Sequence, residues 1–267
     1  IETTAKIAKE LSIKGIINIQ FVEYEGQLYI IEVNPRSSRT VPFVSKVTHV
    51  PMVKLAVKAM MGQKLKNMGY GVGLYRSINK MIVKVPVFSS QKISGIEVSL
   101  GPEMKSTGEV LGVGNTFNEA LFKGFLSAGI KFPDKSKFIL VTLKPEDKSR
   151  FIPIARRLTA KGYRLASTPG THKSLEEQGI VSEMVNKIGE DNNILQMIQS
   201  GKVSIVLNTP TKANDSRRDG FIIRRKAVEN GVDLFTSLDT VDALLSVIEL
   251  GIDEKNIKVF ESQEVFE

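Results

Sequence analysis

The C-terminal half of the chain alternates strand-like and helix-like segments, and this alternation restricts the fold more than any other feature. Five apolar runs have the length of strands, at 138–143, 163–167, 184–188, 203–208 and 233–235. A segment with the character of a helix follows each of them. Strands that alternate with helices predict a parallel, doubly wound sheet, in which ligands bind beyond the carboxyl ends of the strands.

The N-terminal part follows a different pattern, in which a hairpin dominates. Two β-branched, apolar runs flank the dipeptide Glu25-Gly26, which predicts a turn. A two-residue loop would pair Gln20 with Ile31, whereas a three-residue loop centred on Gly26 would pair Gln20 with Glu32. We predict the three-residue loop, which places an amide opposite a carboxylate.

The same hairpin carries oxygen ligands that are followed by arginines. Asn34 shares a strand face with Glu32, and Arg36 and Arg39 come soon after it. Hard oxygen ligands beside arginines suit a divalent cation that carries nucleotide phosphates. The alternative is a solvent-facing strand edge with a surface Glu-Arg pair, and the hairpin by itself favours that alternative.

Two long blocks of sequence match a known family in the correct order: IEVNPRSSRTVPFVSK at 31–46 and LGPEMKSTGEVLGVG at 100–114. They resemble the large chain of carbamoyl phosphate synthetase, in the second of its two ATP-grasp halves. The resemblance extends over essentially the whole chain. It implies the C-terminal part of an ATP-grasp domain at 1–132 and a methylglyoxal-synthase-like regulatory domain at 133–267, which meet in the charged linker KFPDKSK.

The expected fold class is therefore α/β. The first part would be α+β with an antiparallel hairpin, as the C-terminal part of an ATP-grasp fold. The second part would be the doubly wound parallel sheet of a methylglyoxal-synthase-like domain.

The resemblance also implies a role for the polar residues of the hairpin. Gln20, Glu32 and Asn34 match the family's ligands for the magnesium or manganese ions that bridge the ATP phosphates, and Gln20 and Glu32 thereby belong to the ATP site. Arg36 and Arg39 match arginines that would act in catalysis by stabilising the charge of the transferring phosphoryl group. In the family this half phosphorylates carbamate, and the whole enzyme makes carbamoyl phosphate from bicarbonate, glutamine-derived ammonia and two ATP.

Polar residues also gather at the predicted carboxyl ends of the parallel strands. Taken alone, each of these residues is more typical of a helix cap or a solvated charge. Polar residues at the ends of four strands that meet at one edge, however, together indicate a phosphate site. The resemblance implies that these positions hold the phosphate and base of an allosteric nucleotide effector, either UMP or IMP. The residues that match are Lys148, Thr168, Thr171, Lys187 and Asn208.

Some positions depart from the family pattern. Pro210 stands where a further threonine is usual, and that effector contact is therefore in doubt. Ornithine activation is not expected, because Leu234-Phe235-Thr236 replaces a Tyr-Asp-Thr run and Val85 lies where a glutamate would be needed.

Other functions of the second domain remain open. It could act alone as a nucleotide-binding regulatory module, and it also resembles methylglyoxal synthase, a lyase, and the cyclohydrolase domain of purine synthesis. A lyase of this type needs an aspartate base, whereas Asp147 and Asp215 lie in contexts typical of caps, and the attached ATP-grasp part argues against both enzymes. Arg217 and Arg218 could close over a bound phosphate or belong to a solvated loop.

The composition of the chain argues against several classes of partner and chemistry. The formal net charge is +8, but the basic residues are scattered among acids and aromatic residues are few, so we expect no nucleic-acid partner. The chain has no cysteine, which excludes disulfides and thiolate chemistry. Because no apolar run reaches membrane-spanning length, we expect no membrane partner and a cytoplasmic location.

The sequence begins without methionine, and we expect it to be a piece of a longer chain. The glycine-rich loop and the adenine pocket of the ATP-grasp half would lie upstream of Ile1, and the isolated piece should be catalytically inactive. The partners implied by the resemblance are the glutaminase small subunit, nucleotide effectors and further copies of the chain in a homo-oligomer.

Overall fold

The structure is a computed structural model that describes residues 1–75, 78–89, 98, 100, 104–210, 219–251 and 257. Its contacts divide into two units, which consist mainly of Ile1–Lys80 and of Met81–Lys258. The predicted domain boundary between residues 132 and 133 falls inside the second unit. It stays a prediction about the domain organisation of the chain.

The first unit contains helices and a two-stranded antiparallel sheet. Its elements are α1 (Glu2–Glu10), β1 (Asn18–Tyr24), β2 (Gln27–Asn34), α2 (Thr40–Thr48) and α3 (Met52–Met60). Helix α2 ends at Thr48, because the next residue, His49, has a φ of 54° in the left-handed region. Pro51 then precedes α3, where its fixed φ suits a helix start and its missing N–H costs nothing.

The turn of the hairpin is shorter than predicted. Tyr24 pairs with Gln27, and the loop therefore contains only Glu25 and Gly26. Their φ values of 50° and 74° are both positive, as a type I′ turn requires. The predicted three-residue loop is wrong.

The predicted pairing of Gln20 with Glu32 is nevertheless confirmed. The register shifts between Gln20 and Phe21, because Phe21 pairs with Ile30 and leaves Ile31 as an extra residue on β2. Such a bulge places two residues of one strand opposite one residue of its partner. The bulge thus restores the pairing that the two-residue loop alone would have lost.

The second unit contains a two-stranded antiparallel sheet of β3 and β4, followed by a five-stranded parallel sheet with helices. Its elements are β3 (Met81–Val87), β4 (Gly108–Gly114), α4 (Phe117–Ser127), β5 (Phe138–Thr142), α5 (Pro145–Ala160), β6 (Arg164–Ser167), α6 (Pro169–Glu176), β7 (Glu183–Met184), α7 (Ile194–Gln199), β8 (Val203–Asn208), α8 (Asp219–Glu229), β9 (Asp233–Phe235) and α9 (Leu238–Glu249). The order of the parallel sheet is β7-β6-β5-β8-β9, so the predicted doubly wound sheet is confirmed.

Both faces of this sheet are covered, which explains the continuous apolar runs of its strands. Ile139 and Val141 of β5 face a core that is shared with α4, α5 and α9. Phe138 and Leu140 point to the other face and pack with α7 and α8. The alternation along β5 therefore divides the interior into two layers.

Strand β7 is shorter than the predicted segment 184–188. It pairs with β6 only at Glu183 and Met184. Val185 and Ile188 contribute to the core outside the strand, while Asn186 forms an isolated bridge with Asn193. Burial thus accounts for the apolar character of Val185 and Ile188, whereas Met184 is exposed and paired in the strand.

Strand β4 and helix α4 approach each other at glycines. A Cβ atom on Gly112 would lie 1.9 Å from the carbonyl oxygen of Ala120 and 2.5 Å from the amide nitrogen of Gly124. Both of these are backbone atoms, which cannot rotate away as a side chain can. The close contact of β4 with α4 therefore requires glycine at this position.

An ion-pair network joins helices α5 and α9. Arg157 donates to Asp242 and, at 2.9 and 2.7 Å, to the two carboxylate oxygens of Glu249. The hydrogen bond from Arg157 lowers the pKa of Glu249, and in return it raises the pKa of Arg157. Charged groups thus support the packing of two helices that lie on the same face of the sheet.

We expect Glu249→Gln to lower the free energy of unfolding by about 0.5 to 1 kcal/mol at neutral pH, the range of a partly exposed ion pair. Because the pKa of Glu249 is lower in the folded state, its stabilising effect is present above the unfolded pKa and is lost as pH falls through the folded pKa. Urea unfolding of both proteins over a series of pH values would measure this.

The control is Glu190→Gln, since the exposed carboxylate of Glu190 makes no ion pair within the described part of the chain. It should leave the stability unchanged at every pH. An equal difference between Glu249→Gln and the parent chain at acid and neutral pH would contradict the assigned role of the ion pair.

Candidate functional site

The hairpin of the first unit brings most of its predicted ligands close together. Gln20 lies directly opposite Glu32, and Asn18 lies opposite Asn34 at the end of β2. Directly opposite residues of an antiparallel pair have Cβ atoms about 5 Å apart, within reach of one small ligand. Gln20 and Glu32 are exposed, whereas Asn34 is half-buried.

The two arginines lie beyond the end of β2. Nη1 of Arg36 donates to the carbonyl oxygen of Ser37 at 3.0 Å, and Nη2 is 3.5 Å from Oδ1 of Asn34. Arg36 is thereby held beside one of the predicted ligands. Arg39 is the N-cap residue of α2, and its side chain is exposed.

The donor atoms of this hairpin fit an oxygen-preferring cation. Glu32 offers a carboxylate, and Gln20 and Asn34 each offer an amide oxygen. Within the described ranges there is no cluster of three or more His, Cys, Asp or Glu side chains that could hold a metal ion. A cation bound here would therefore depend on amide oxygens, phosphate and water, a donor set that magnesium accepts.

In the second unit, three strand ends meet at the carboxyl edge of the parallel sheet. Nζ of Lys148, in the first turn of α5, donates to the carbonyl oxygen of Gly170 at 2.7 Å. Oγ1 of Thr171 accepts from the backbone N–H of Leu143 at 3.3 Å. Oγ1 of Thr209 accepts from the N–H of Lys144 at 3.0 Å. Together these bonds fasten the loop between β5 and α5 to the ends of β6 and β8.

The structure brings four of the five predicted effector residues to this edge. Thr168 is the N-cap residue of α6, and Thr171 is buried in the first turn of that helix. Asn208 ends β8 and pairs in register with the end of β5. Lys187 is exposed and lies beyond β7. No hydrogen bond between described residues joins it to the other four predicted effector residues. We call Lys148, Thr168, Thr171, Asn208 and Thr209 the crevice.

Two residues of the crevice region, Thr209 and Arg224, are not among the predicted effector ligands. The sequence places Thr209 at the end of a strand beside Asn208, whereas no pattern points to Arg224 as a ligand. Arg224 of α8 donates from Nη1 to Oδ1 of Asn208 at 2.6 Å. The available signal was the position of Arg224 between Ile223 and Ala227, which mark the buried side of α8.

A second hydrogen-bonded group lies next to α6. Oγ of Ser182 is 2.9 Å from Nδ1 of His172 and 2.9 Å from Oγ of Ser167, which is fully buried. These three side chains connect α6 with the end of β6. No sequence spacing predicts this chain of hydrogen bonds, because it depends on how the loop before β7 folds back.

Asp147 lies at a helix start, as predicted, but it is not a cap: the N-cap residue of α5 is Lys144, and no side chain of the described residues makes a cap hydrogen bond at this helix start. The carboxylate of Asp147 is buried in the first turn of α5, 3.6 Å from Nζ of Lys144 and 3.8 Å from Nη1 of Arg150. Lys144 pairs with Asp147 within the helix start, whereas Arg150 also donates from Nη2 to Asp239 of α9 at 3.0 Å. Asp215, Arg217 and Arg218 lie outside the described residues.

Among the residues that the structure describes, no helix combines the length and the apolar character needed to cross a bilayer.

Two family models match the chain. The model described as "Carbamoyl-phosphate synthase L chain, ATP binding domain" matches residues 1–68, and the model described as "MGS-like domain" matches residues 150–236. A crystal structure of methylglyoxal synthase from Elizabethkingia anophelis is similar at 23% identity and a TM-score of 0.35, over 43% of this chain and 83% of that chain.

Several curated relatives match nearly the whole chain. The carbamoyl phosphate synthase large chain of Clostridium perfringens strain 13 is 52% identical over 261 residues, which is 97% of this chain and 24% of that protein. The large chain of Clostridium botulinum strain Langeland is 49% identical, over 98% of this chain and 24% of that protein. This chain thus spans about a quarter of the length of these relatives. Part of an ATP-binding domain is followed by an MGS-like domain, and over nearly its whole length the chain is similar to the C-terminal region of carbamoyl phosphate synthase large chains.

Proposed function

We propose that the hairpin of this chain forms part of the second ATP site of a glutamine-hydrolysing carbamoyl phosphate synthase, a ligase in which it contributes to the phosphorylation of carbamate. The observation that carries the proposal is the direct pairing of Gln20 with Glu32, with Asn34 at the end of the same strand and Arg36 just beyond it. The match of residues 1–68 to an ATP-binding domain of this enzyme supports it.

The chemistry assigned to the chain is positioning and charge stabilisation. Gln20, Glu32 and Asn34 would hold magnesium or manganese, which neutralises phosphate charge when bound. Arg36 and Arg39 would offset the negative charge that develops on the transferring phosphoryl group. Since phosphoryl transfer needs little covalent help from a protein, these roles suffice for this part of the site.

The remaining parts of the reaction belong to a longer chain and its partner. A glutaminase small subunit would supply ammonia, and residues beyond this sequence would complete the ATP site. We expect the 267-residue chain alone to form neither carbamoyl phosphate nor ATP. A cytoplasmic location and assembly into a homo-oligomer are part of the same proposal.

For the second unit we propose allosteric binding of a nucleotide, either UMP or IMP, at the crevice. Lys148 and the first turn of α6 supply a cation and backbone amides beside each other, which is an arrangement suited to phosphate. Lys187 would complete the site from beyond β7. Since these residues all belong to one unit, a chain that acts alone as a nucleotide-binding regulatory module is the second candidate function.

Calorimetric titration of the 267-residue chain with UMP and IMP tests the effector site. We expect saturable binding of one nucleotide and a dissociation constant at least about 10-fold weaker in Lys187→Ala, because a hydrogen bond to a charged group contributes about 1.5 to 3 kcal/mol. Lys202→Ala is the matched control, since the exposed Lys202 precedes β8 at the opposite edge of the sheet.

The outcomes separate the two proposals. Binding that is lost in Lys187→Ala and kept in Lys202→Ala supports the effector site. Absence of binding by a folded wild-type chain would remove the effector proposal and leave the proposed ATP site in place. Equal weakening by both variants would indicate general attraction of anions to a basic protein.

A further inference from the structure

A buried arginine contacts one of the proposed effector residues. Nη1 of Arg224 donates to Oδ1 of Asn208 at 2.6 Å. The exposed fraction is 6% for Arg224 and 4% for Asn208, and both groups are therefore largely withdrawn from water. Hydrogen bonds that involve a charged donor are short and strong in such surroundings.

The chemistry of the two groups determines how the amide of Asn208 is oriented. A guanidinium group has only donors, so it can face the amide oxygen but not the amide NH₂. The oxygen of Asn208 is consequently engaged by Arg224, and the two N–H donors lie on the other branch of the planar amide. Asn208 is thereby held as a donor toward any further ligand at the end of β8.

The first turn of α8 packs closely on this pair. A Cβ atom on Gly220 would lie 3.1 Å from Nη1 of Arg224 and 3.7 Å from Oδ1 of Asn208. Even the smallest side chain at Gly220 would therefore press on the hydrogen bond. The start of α8 thus encloses the Arg224–Asn208 pair on one side.

We propose that Arg224 is a positioning residue of the crevice, which holds the NH₂ group of Asn208 ready to donate to an acceptor oxygen of an anionic nucleotide. This inference rests on the proposed function of the second unit. Arg224 acts on the ligand only through Asn208, by way of the hydrogen bond from Nη1 to Oδ1.

A double-mutant cycle on the 267-residue chain tests this inference, with calorimetric titration of UMP and IMP. Asn208→Ala and Arg224→Gln should each weaken binding by about 10-fold, the effect of one lost hydrogen bond to a charged group. The double variant should bind no more weakly than Asn208→Ala, because the arginine has no effect without its amide. Arg224→Lys, which keeps the charge and a donor, should recover part of the affinity.

Each outcome decides the inference. Unchanged affinity in a folded Arg224→Gln variant, or effects that multiply in the double variant, would overturn it while leaving the proposed function intact. Failure of the wild-type chain to bind either nucleotide would instead contradict the proposed function. Thermal unfolding of every variant separates lost binding from lost folding.

Nuclear magnetic resonance of the wild-type chain provides a test that needs no arginine variant. The side-chain amide signals of Asn208, identified by their absence from Asn208→Ala, should have the relaxation rates of an ordered group and should shift on saturation with the nucleotide that binds. A mobile Asn208 amide, or one whose signals do not respond to the bound nucleotide, would overturn the inference even where Arg224→Gln fails to fold.

Discussion

Replacing Glu32 by glutamine in a complete large chain that contains this sequence should lower the rate of carbamoyl phosphate formation by about 100-fold or more. Glu32 supplies the carboxylate of the proposed cation site. Even mutation of a residue that only hydrogen-bonds to a metal ligand typically lowers metal affinity or activity by about 10- to 100-fold, and loss of the ligand itself should cost more. The reverse partial reaction, formation of ATP from ADP and carbamoyl phosphate, should fall in parallel. Under the proposed function, this reaction depends on the second ATP site without the earlier steps.

The control is Glu23→Gln in the same hairpin. Glu23 is an exposed carboxylate of β1 that lies opposite Leu28, away from the proposed ligands. It should leave both rates near those of the parent enzyme. A Glu32→Gln enzyme that keeps normal rates at saturating and at limiting magnesium would contradict the assignment of the hairpin to the ATP site.

The largest expected effect on stability comes from Gly112→Ala. The new methyl group would meet the backbone of α4, and we expect the free energy of unfolding to fall by about 3 kcal/mol or more, at the upper end of overpacking effects. Urea unfolding of the 267-residue chain followed by circular dichroism measures this. Hydrogen exchange of the amides of β4 and α4 should increase first, since these two elements would separate.

Gly108→Ala is the matched control, because it adds the same methyl group to the same strand. A Cβ atom on Gly108 would lie 3.9 Å from Cβ of Val87, an ordinary contact distance. The stability of this variant should remain close to that of the parent chain. Equal unfolding midpoints for the two variants would show that β4 and α4 tolerate separation at Gly112.

The parallel sheet was predictable from the sequence because burial on both faces requires continuous apolar strands. The hairpin shows the limit of the same reasoning. Ile30 and Ile31 are both apolar, so the pattern cannot indicate which of them is the extra residue of a bulge. The predicted pairing of Gln20 with Glu32 was therefore correct although the predicted turn was wrong.

The end of β7 shows a second limit. Val185 and Ile188 have the apolar character of strand residues and are packed in the core, but β7 itself ends at Met184, after which the N–H of Val185 still donates to the carbonyl oxygen of Ser167 of β6. Apolar character indicates withdrawal from water and not the hydrogen-bonding partner of the backbone.

The candidate sites were predictable where they follow from local sequence. Lys148 and the turn from Thr168 to Thr171 each adjoin a strand end, and the carboxyl edge of the sheet brings them together. The contact between Arg224 and Asn208 joins a helix to a strand end, and it depends on the rotation of α8 about its axis. Local patterns predict which elements form, whereas contacts of this kind depend on how the elements pack.

The order of the parallel sheet has a consequence for how the chain folds as it is synthesised. The central strand β5 pairs with β8, and α5, β6, α6, β7 and α7 are made between them. A non-local pair of this kind forms late, because a long segment must be ordered before the two strands can meet. Until β8 emerges from the ribosome, one edge of β5 has no strand partner, which makes this interval the one in which the nascent chain is most exposed to aggregation.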